Sequence, residues 1–205
     1  MAALPTVVLL VAVAQDAAQV ASSGTQSPGV APASEEGRLA MGTFEVPPGM
    51  ELSLFAAEPL LANPVCFCFD ERGDVYVAET FRLHAGVTDI RNHMDWLDDD
   101  LASKSVADRV AMYRKHEGER FADYGKFEER IRLIRDTDGD GAADQAVVFA
   151  DGFRDPADGI AAGLLARKGD VYYTCIPSLW LLSDAASFVT GSVVTVDGGF
   201  TAMTI

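Results

Sequence analysis

Four aspartates at regular spacing give the chain its clearest chemical signal. The segment reads Asp136-Thr-Asp138-Gly-Asp140-Gly141-Ala-Ala-Asp144, so carboxylates recur at alternate positions before a glycine. A Ca²⁺ ion takes about six to eight oxygen ligands at short range, and such spacing supplies them. Because Gly141 permits a sharp bend, the carbonyl of Ala142 can point inward as a further ligand. We therefore predict a calcium site whose ligands are Asp136, Asp138, Asp140, Ala142 and Asp144.

The flanks of this segment argue against an EF-hand. An EF-hand loop carries glutamate at its twelfth position, which is Val147 here, and both flanks read as strands, residues 130–135 and 145–150. The segment is therefore expected to close a β-hairpin around its ion in a structural role. The alternative is a solvated acidic turn, but carboxylates this close repel one another unless a cation neutralises them.

Short strands joined by tight turns must position these residues. Residues 50–55 alternate in polarity, whereas residues 65–69 are apolar throughout, which predicts a strand buried on both faces. A charged turn containing Gly73 then leads into a second strand, and the same unit returns in residues 163–175 around Gly169. Repeated short antiparallel units favour a β-propeller or a β-sandwich.

The segment between residues 82 and 127 breaks this strand pattern. Val106, Val110 and Tyr113 recur at helical spacing, which predicts a helix over residues 101–116. The three aspartates at 98–100 are expected to cap its N-terminus, and Gly118 is expected to end it. We predict a partly helical insertion between strands.

Two further polar stretches are weaker signals. The first is typical of a catalytic or ligand-binding loop and equally of an exposed acidic helix cap; it contains His84, Asp89, Arg91, His93, Asp95, Asp98, Asp99 and Asp100. The second places Arg154, Asp155 and Asp158 either at the axial mouth of a propeller or in a simple turn. Neither stretch assigns a catalytic or cofactor-binding residue, and these stay unknown.

The three cysteines do not form a recognisable metal or haem motif. Cys66 and Cys68 are two residues apart and share one face of a strand, and Cys175 is far away in the sequence. The C-x-C spacing without a second pair argues against zinc and against covalent haem attachment. We interpret the cysteines as small buried apolar residues.

Composition limits the classes of partner. The 205 residues include 31 acidic and 16 basic side chains, a formal net charge of −15, and 49% of residues are hydrophobic. These are ordinary globular proportions and exclude wholesale disorder, collagen and coiled coil. The negative charge argues against binding to nucleic acid and against electrostatic adsorption to anionic membranes.

The N-terminus reads as an export signal followed by a linker. Residues 4–14 are apolar and end in Ala12-Val13-Ala14, a pattern that suits a signal peptidase, although no Lys or Arg precedes them. The alternative is an apolar leader from a misassigned start. We predict a signal peptide at residues 1–14, a periplasmic or secreted product with no membrane span after cleavage, and a flexible linker at residues 15–43.

Residues 44–182 resemble the opening of planctomycete-type membrane-bound dehydrogenases, which carry an exported propeller similar to quinoprotein glucose or sorbosone dehydrogenases. The resemblance rests on PPGMELSLFAAEPLLANPVCFCFDERGDVYVAET, ERIRLIRDTDGDGAADQ and DPADGIAAGLLARKGDVYYTC. It implies a periplasmic, calcium-bearing propeller, pyrroloquinoline quinone in the parent family, and a small sugar or alcohol substrate. The chain contains about two of the four or more blades of a propeller, no C-x-x-C-H motif and no histidine near Asp158. We therefore expect it to be inactive alone.

The C-terminal stretch resembles a different family. SDAASFVTGSVVTVDGG, residues 183–199, is similar to the C-terminal signature of short-chain dehydrogenases/reductases. No tyrosine has a lysine four residues on, and no G-x-x-x-G-x-G opens a strand-turn-helix unit, so we expect no NAD(P) binding. We infer a chimera joined near Trp180, made by gene rearrangement or sequence assembly, whose tail is exposed or adds an edge strand.

The expected fold is mainly β: an incomplete β-propeller with a partly helical insertion and a short foreign helix-strand tail. The domains are a signal peptide (1–14), a linker (15–43), a partial propeller (44–182) and the tail (183–205). The expected function is that of an N-terminal fragment of an exported, calcium-binding, quinoprotein-like sugar or alcohol dehydrogenase. One alternative is an NAD(P)-dependent short-chain dehydrogenase/reductase, on the strength of the tail, and another is a non-enzymatic binding module.

Overall fold

The computed structural model describes residues 29–183 in full and the backbone of two further strands. The helices are α1 (Glu36–Met41), α2 (Leu97–Ala102) and α3 (Val106–Glu117). The strands are β1 (Thr6–Leu10), β2 (Glu51–Ala56), β3 (Pro64–Phe69), β4 (Val75–Glu79), β5 (Glu129–Arg135), β6 (Gln145–Phe153), β7 (Ala161–Arg167), β8 (Asp170–Cys175), β9 (Ser178–Ser183) and β10 (Ser192–Thr195). Short 3-10 turns at Ile90–Asn92 and Met94–Trp96 and a longer one at Gly118–Gly125 flank the helices.

The strands form two four-stranded antiparallel sheets, each following the order of the chain. Sheet A is β3-β4-β5-β6 and sheet B is β7-β8-β9-β10, while β1 and β2 pair in parallel as a separate ribbon. The expectation of a mainly β protein with short antiparallel units is confirmed. The described residues make two open sheets, without a closed barrel or propeller.

Sheets A and B pack face to face around the main core. The buried side chains at this interface are Tyr76, Ala78, Ile131, Leu133 and Phe153 from sheet A and Ala161, Ala166, Val171, Tyr173, Cys175 and Leu182 from sheet B. The opposite face of sheet A carries Val75, Val77 and Ile134, which Ala56 and Leu61 cover. Strand β4 is therefore buried on both faces, and each large apolar side chain so enclosed contributes about 1.5–3 kcal/mol to folding.

Both hairpins predicted from the repeated glycine turns are confirmed. Gly73 and Gly169 have φ angles of +91° and +85°, in the left-handed region that side chains disfavour. In the first turn the Asp70 carboxylate accepts from the backbone N–H groups of Arg72 and Asp74, at 2.8 and 3.0 Å. In the second, the backbone N–H of Lys168 donates to the Glu71 carboxylate at 3.0 Å, so the two turns lie side by side.

Strand β3 differs from its predicted environment. The apolar run predicted burial on both faces, but only Cys66 and Cys68 pack against the interface between the sheets. Val65, Phe67 and Phe69 are 39%, 47% and 50% exposed. The reason is position: β3 is the edge strand of sheet A, beyond the part of the outer face that β2 and the following loop cover.

The helical insertion is confirmed, but the single predicted helix is wrong. Two helices form, separated at Ser103–Ser105, and the predicted capping aspartates lie inside α2. Ser105 caps α3 instead: its Oγ accepts from the N–H of Asp108, whose carboxylate accepts from the N–H of Lys104. Gly118, with φ +57°, ends α3 as expected. Helices in the described part of the chain lack the length and apolar character that a bilayer crossing requires.

The predictions for the two termini lie mostly outside the described residues. Thr6–Leu10, within the predicted signal peptide, forms β1 beside β2. The described part of the predicted linker contains α1, which packs on β2 through Gly37, where an added Cβ would meet Leu54 at 3.3 Å. In the tail, β10 pairs antiparallel with β9 as the edge strand of sheet B. Residues 184–191 and 196–205 lie outside the description.

Candidate functional site

The aspartate loop between β5 and β6 brings three carboxylates to one point. Asp136, Asp138 and Asp140 each offer an oxygen within 4.8 Å of the others, two of them on exposed side chains. Within the described residues, this is the group of His, Cys, Asp and Glu side chains whose spacing suits a metal ion. Three converging hard oxygens match the first requirement of a Ca²⁺ site.

Backbone hydrogen bonds fix the orientation of the first ligand. Asp136 accepts from the N–H of Gly139 at 2.7 Å and from the N–H of Gly141 at 2.9 Å. The bond from Gly141 is the main reason that the pKa of Asp136 lies below its usual value. Both glycines have positive φ angles, +79° and +90°, which the tight loop requires. Asp136 is therefore held ionised, with its orientation set by the backbone of the loop.

The remaining two predicted ligands have other contacts. Asp144 accepts from the backbone N–H and the hydroxyl of Thr137, at 3.2 and 2.6 Å, and is not among the converging carboxylates. The backbone N–H of Ala142 donates to Asp140 at 2.8 Å. The loop is anchored to β2, because the N–H of Ala143 donates to the carbonyl of Phe55 at 2.7 Å. The structure thus brings together three of the five predicted ligands.

A polar pocket of about 300 Å³ gathers part of the first polar stretch. His84, Asp89 and His93 line it, together with Glu117 and Tyr124 from the far side of the insertion. Asp89 is held by its ion pair with Arg91 at 2.6 Å, and the Arg91 hydrogen bonds lower the pKa of Asp89 to about 2. Tyr124 donates to Glu117 at 3.3 Å, and burial raises the pKa of Tyr124 to about 12.

The other members of that stretch stabilise the helical insertion. The Trp96 ring is stacked on that of His116, with centroids 4.7 Å apart, and meets the ring of His93 at a tilt, with centroids 4.1 Å apart. Asp99 accepts from the Lys115 ammonium at 2.5 Å and lies 2.6 Å from His116 Nε2, and these contacts lower the pKa of Asp99. This part of the stretch therefore joins α2 to α3 through ion pairs and ring contacts instead of capping a helix. The part around His84 lines a pocket.

A larger and mostly apolar groove of about 1060 Å³ lies between the start of α3 and the loop before β7. Its apolar lining includes Val106, Val110, Ile160 and Ile176, and Asp158 stands among them half-buried. Burial, reinforced by the neighbouring charge of Asp155, raises the pKa of Asp158 to about 6. Of the second polar stretch, Asp158 is the side chain that faces a cavity.

Replacing Asp158 with asparagine is expected to stabilise the protein at neutral pH but not in acid. Because its folded-state pKa is raised, the Asp158 contribution to stability is complete below about pH 3.8 and is lost as the pH rises through about 6. Because the carboxyl is half-exposed and partly screened by solvent, Asp158→Asn is expected to raise the free energy of unfolding by only about 1 kcal/mol at pH values above about 6. Urea denaturation at about pH 4 and pH 7.5 measures it. An equal gain at both values, or the same change in exposed Asp151→Asn, contradicts this assignment.

A buried charge network at the end of sheet A was not anticipated from the sequence. Glu79 is fully buried and accepts hydrogen bonds from the backbone N–H of Ala62, at 2.7 Å, and from the Arg130 guanidinium. A second guanidinium, that of Arg132, lies 3.1 Å from the Glu79 carboxylate. Glu129 is also fully buried. It accepts four hydrogen bonds, from Thr80 Oγ1 and from the backbone of Phe81, Arg82 and Ala161. Desolvation nevertheless keeps the pKa of Glu129 above its usual value.

Arg82 ties this network to the loops around both cavities. Its fully buried guanidinium donates to the carbonyls of Gly86, Asp155 and Gly159, at 3.2, 2.9 and 3.2 Å. The signal that was available in the sequence is the presence of charged residues inside otherwise apolar strands, as at Glu79 and Glu129. Charged residues are rarely fully buried unless they have partners.

The three cysteines are free thiols. Cys175 is buried, as interpreted from the sequence, whereas Cys66 and Cys68 are only half-buried. Cys175 is buried between the sheets and its Sγ–H donates to the carbonyl of Gly159 at 3.4 Å. Burial raises the pKa of Cys175 to about 12 and that of Cys66 to about 11. These thiols are small components of the core, without the depressed pKa that a reactive cysteine needs.

Two curated proteins match a short part of the chain. Both are named 2,5-dichloro-2,5-cyclohexadiene-1,4-diol dehydrogenase and come from two strains of Sphingobium indicum. Each is 73% identical over 39 residues, which are 19% of this chain and 16% of the relative. The chain therefore spans 16% of the length of the curated relatives it matches. No solved structure matches the chain.

A protein-family model matches a much longer part of the chain, covering most of both sheets and the whole helical insertion. It runs over residues 36–187 and includes the aspartate loop, the polar pocket, the groove and the buried charge network. Since this match spans well over half of the 205 residues, the chain belongs to the family described as "Domain of unknown function (DUF7133)".

Proposed function

We propose that this protein is a calcium-binding β-sheet module of an exported, dehydrogenase-like oxidoreductase, and that it is inactive alone. The observation that carries the calcium assignment is the convergence of Asp136, Asp138 and Asp140 within 4.8 Å. A hard divalent cation offsets the repulsion of three carboxylates held this close, and exposed coordination positions remain for water. The ion then has a structural role, locking the β5–β6 hairpin against β2 through the Ala143–Phe55 hydrogen bond.

The oxidoreductase part of the proposal is supported by the sequence resemblance and by the word dehydrogenase in the names of the short matches. In that setting the two sheets represent part of a larger propeller. The groove beside α3 is the larger of the two cavities and has room for a sugar- or alcohol-sized molecule. Asp158 is the side chain there that could accept a hydroxyl proton.

The residues present do not fit pyrroloquinoline quinone. This quinone carries three carboxylates, and its site needs several unpaired cationic side chains. In the polar pocket, Arg120 is outnumbered by Asp89, Glu117 and Asp123. In the groove, Arg109 already pairs with Asp100 at 3.0 Å, so Lys104 is the cation left in a lining that also contains Asp158. No step of a reaction is therefore derived through this cofactor.

Calorimetric titration of the whole chain with Ca²⁺ is expected to show one bound ion, and Asp138→Asn is expected to weaken it about tenfold or more. Asp138 is chosen because its side chain is exposed, so its loss affects the site more than the fold. Asp151→Asn removes the same charge from an exposed position outside the loop and is expected to leave binding unchanged. Absence of heat at millimolar Ca²⁺, or equal weakening by both variants, rejects the calcium site. Asp144→Asn then reports whether Asp144 joins the ligands.

Activity is tested separately. Dye-linked oxidation of sugars and alcohols with added quinone, and turnover of NAD(P)H, are both expected to be absent with this chain alone. Turnover with NAD(P)H supports the short-chain dehydrogenase alternative, whereas dye reduction shows that the module is already a complete enzyme. Calcium binding without any turnover leaves the non-enzymatic binding module as the alternative.

A further inference from the structure

Two exposed apolar surfaces lie at opposite ends of the two-sheet stack. The outer face of sheet A exposes Phe67 and Phe69, whose rings form an edge-to-face pair with centroids 5.8 Å apart. The outer face of sheet B exposes Leu165 and Tyr172, 55% and 38%, which oppose each other across β7 and β8. Exposed apolar patches of this kind mark interaction surfaces.

The two sheets are repeats that point the same way along the stack. Gly73-Asp-Val-Tyr76 and Gly169-Asp-Val-Tyr172 occupy the same place at the start of the second strand of each sheet. Tyr76 lies at the interface between the sheets, whereas its counterpart Tyr172 lies on the outer face of sheet B. Each sheet therefore has two different faces. The tyrosine face carries Tyr76 in sheet A and Tyr172 in sheet B, and the valine face carries Val75 in sheet A and Val171 in sheet B.

The contact inside the chain joins the tyrosine face of sheet A to the valine face of sheet B, where Val171 and Tyr173 are buried. Within residues 29–183, the tyrosine face of sheet B has no sheet packed on it, and the valine face of sheet A has none either. The latter is covered by Ala56 and Leu61 over its centre but remains open along β3. A repeat cannot bury its own apolar faces alone and needs a neighbour of the same kind.

We propose that a second copy of this chain occupies these faces, head to tail. The tyrosine face of sheet B in one copy packs on the open β3 side of the valine face of sheet A in the next. This is the combination that the chain already uses internally, whereas two tyrosine faces or two valine faces have no counterpart within it. The contact is heterologous, so association continues into rings or chains. This inference concerns this chain by itself and is independent of the proposed calcium site and of any enzyme activity. In a larger propeller, further sheets would occupy the same two faces.

Charge sets the conditions under which association appears. Each copy carries a formal net charge of −15, so copies repel one another at low ionic strength. Salt screens this repulsion and leaves burial of Phe67, Phe69, Leu165 and Tyr172 as the driving term. Association is therefore expected to strengthen as salt is added, opposite to the behaviour of a contact held by surface ion pairs.

Sedimentation velocity of the whole chain in chelator, from micromolar to submillimolar concentration, tests the proposal. The wild type is expected to associate, more strongly at high salt, whereas Phe67→Lys and Tyr172→Lys are each expected to weaken association tenfold or more. Mixing the two variants is the decisive step, because each keeps one intact face. The mixture is expected to form a heterodimer of twice the monomer mass and nothing larger. Leu101→Lys, on α2 away from both faces, is the matched control.

Several outcomes overturn the proposal. A wild type that stays monomeric at all concentrations and salt conditions shows that the faces do not meet. Loss of association in only one of the two variants shows an isologous contact, and a mixture that stays monomeric shows that the faces are not complementary. Circular dichroism checks folding, and Val65→Lys and Leu165→Lys replace either variant that misfolds. Use of chelator keeps this result separate from failure of the calcium proposal.

Discussion

Replacing Glu79 with glutamine is expected to lower the free energy of unfolding by about 3–5 kcal/mol. The side chain is fully buried beside two guanidinium groups, those of Arg130 and Arg132. Glutamine keeps the shape and the bond from Ala62 but removes the negative charge, which leaves two cations uncompensated away from water. Urea unfolding followed by circular dichroism measures the loss.

The loss of stability expected for Glu79→Gln is much larger than that expected when a charge is removed from the surface. Glu119→Gln removes the same charge from an exposed position and is expected to change stability by less than about 0.5 kcal/mol. The double variant Glu79→Gln/Arg132→Gln is expected to be less unstable than the sum of its single changes, because one orphaned cation is also removed. A loss below about 1 kcal/mol in Glu79→Gln shows that water reaches the network.

Replacing Phe153 with alanine is expected to destabilise the protein by about 3–5 kcal/mol. Phe153 ends β6, is 5% exposed, and its ring lies 4.8 Å from that of Tyr173 and 5.1 Å from that of Trp180. It therefore links the last strand of sheet A to two strands of sheet B. Removing it leaves a cavity at the junction, where neither sheet can collapse without moving the other.

The matched control is Phe67→Ala, the same change on an exposed edge strand, which is expected to cost less than about 1 kcal/mol in dilute protein. Thermal unfolding followed by tryptophan fluorescence and by far-ultraviolet circular dichroism compares the two variants. If the sheets unfold together, both signals share one midpoint in the wild type. Equal losses in the two variants contradict the placement of Phe153 at the junction.

Local features of the fold could be read from the sequence because neighbouring residues determine them. The turns at Gly73 and Gly169 need a positive φ angle, and the residues on either side of each turn form the two strands of a hairpin, as predicted. The division of the helical insertion was missed because Ser105 and Asp108 form a cap that competes with the three preceding aspartates. The exposure of Phe67 was missed because composition does not show which strand lies at a sheet edge.

The candidate sites also divide into those formed by neighbouring residues and those formed by residues far apart in the sequence. The aspartate loop was predictable since its three converging carboxylates lie within five residues of one another. The polar pocket joins His84 to Glu117 and Tyr124 through the folding of the whole insertion, which no local pattern encodes. Arg82 reaches carbonyls more than seventy residues away, at Asp155 and Gly159, and such pairing depends on how the two sheets dock.

The positions of Cys66 and Cys175 allow alkylation to measure how often the two sheets separate. Cys175 is enclosed between the sheets, and Cys66 packs against the same interface from β3. Burial raises the pKa of both thiols, and the thiolate is the form that attacks an alkylating reagent, so both react slowly. Cys175 is fully buried, so its modification also requires the sheets to part. The labelling rate of Cys175 under native conditions therefore measures that opening, and the half-buried Cys66 is expected to react before it.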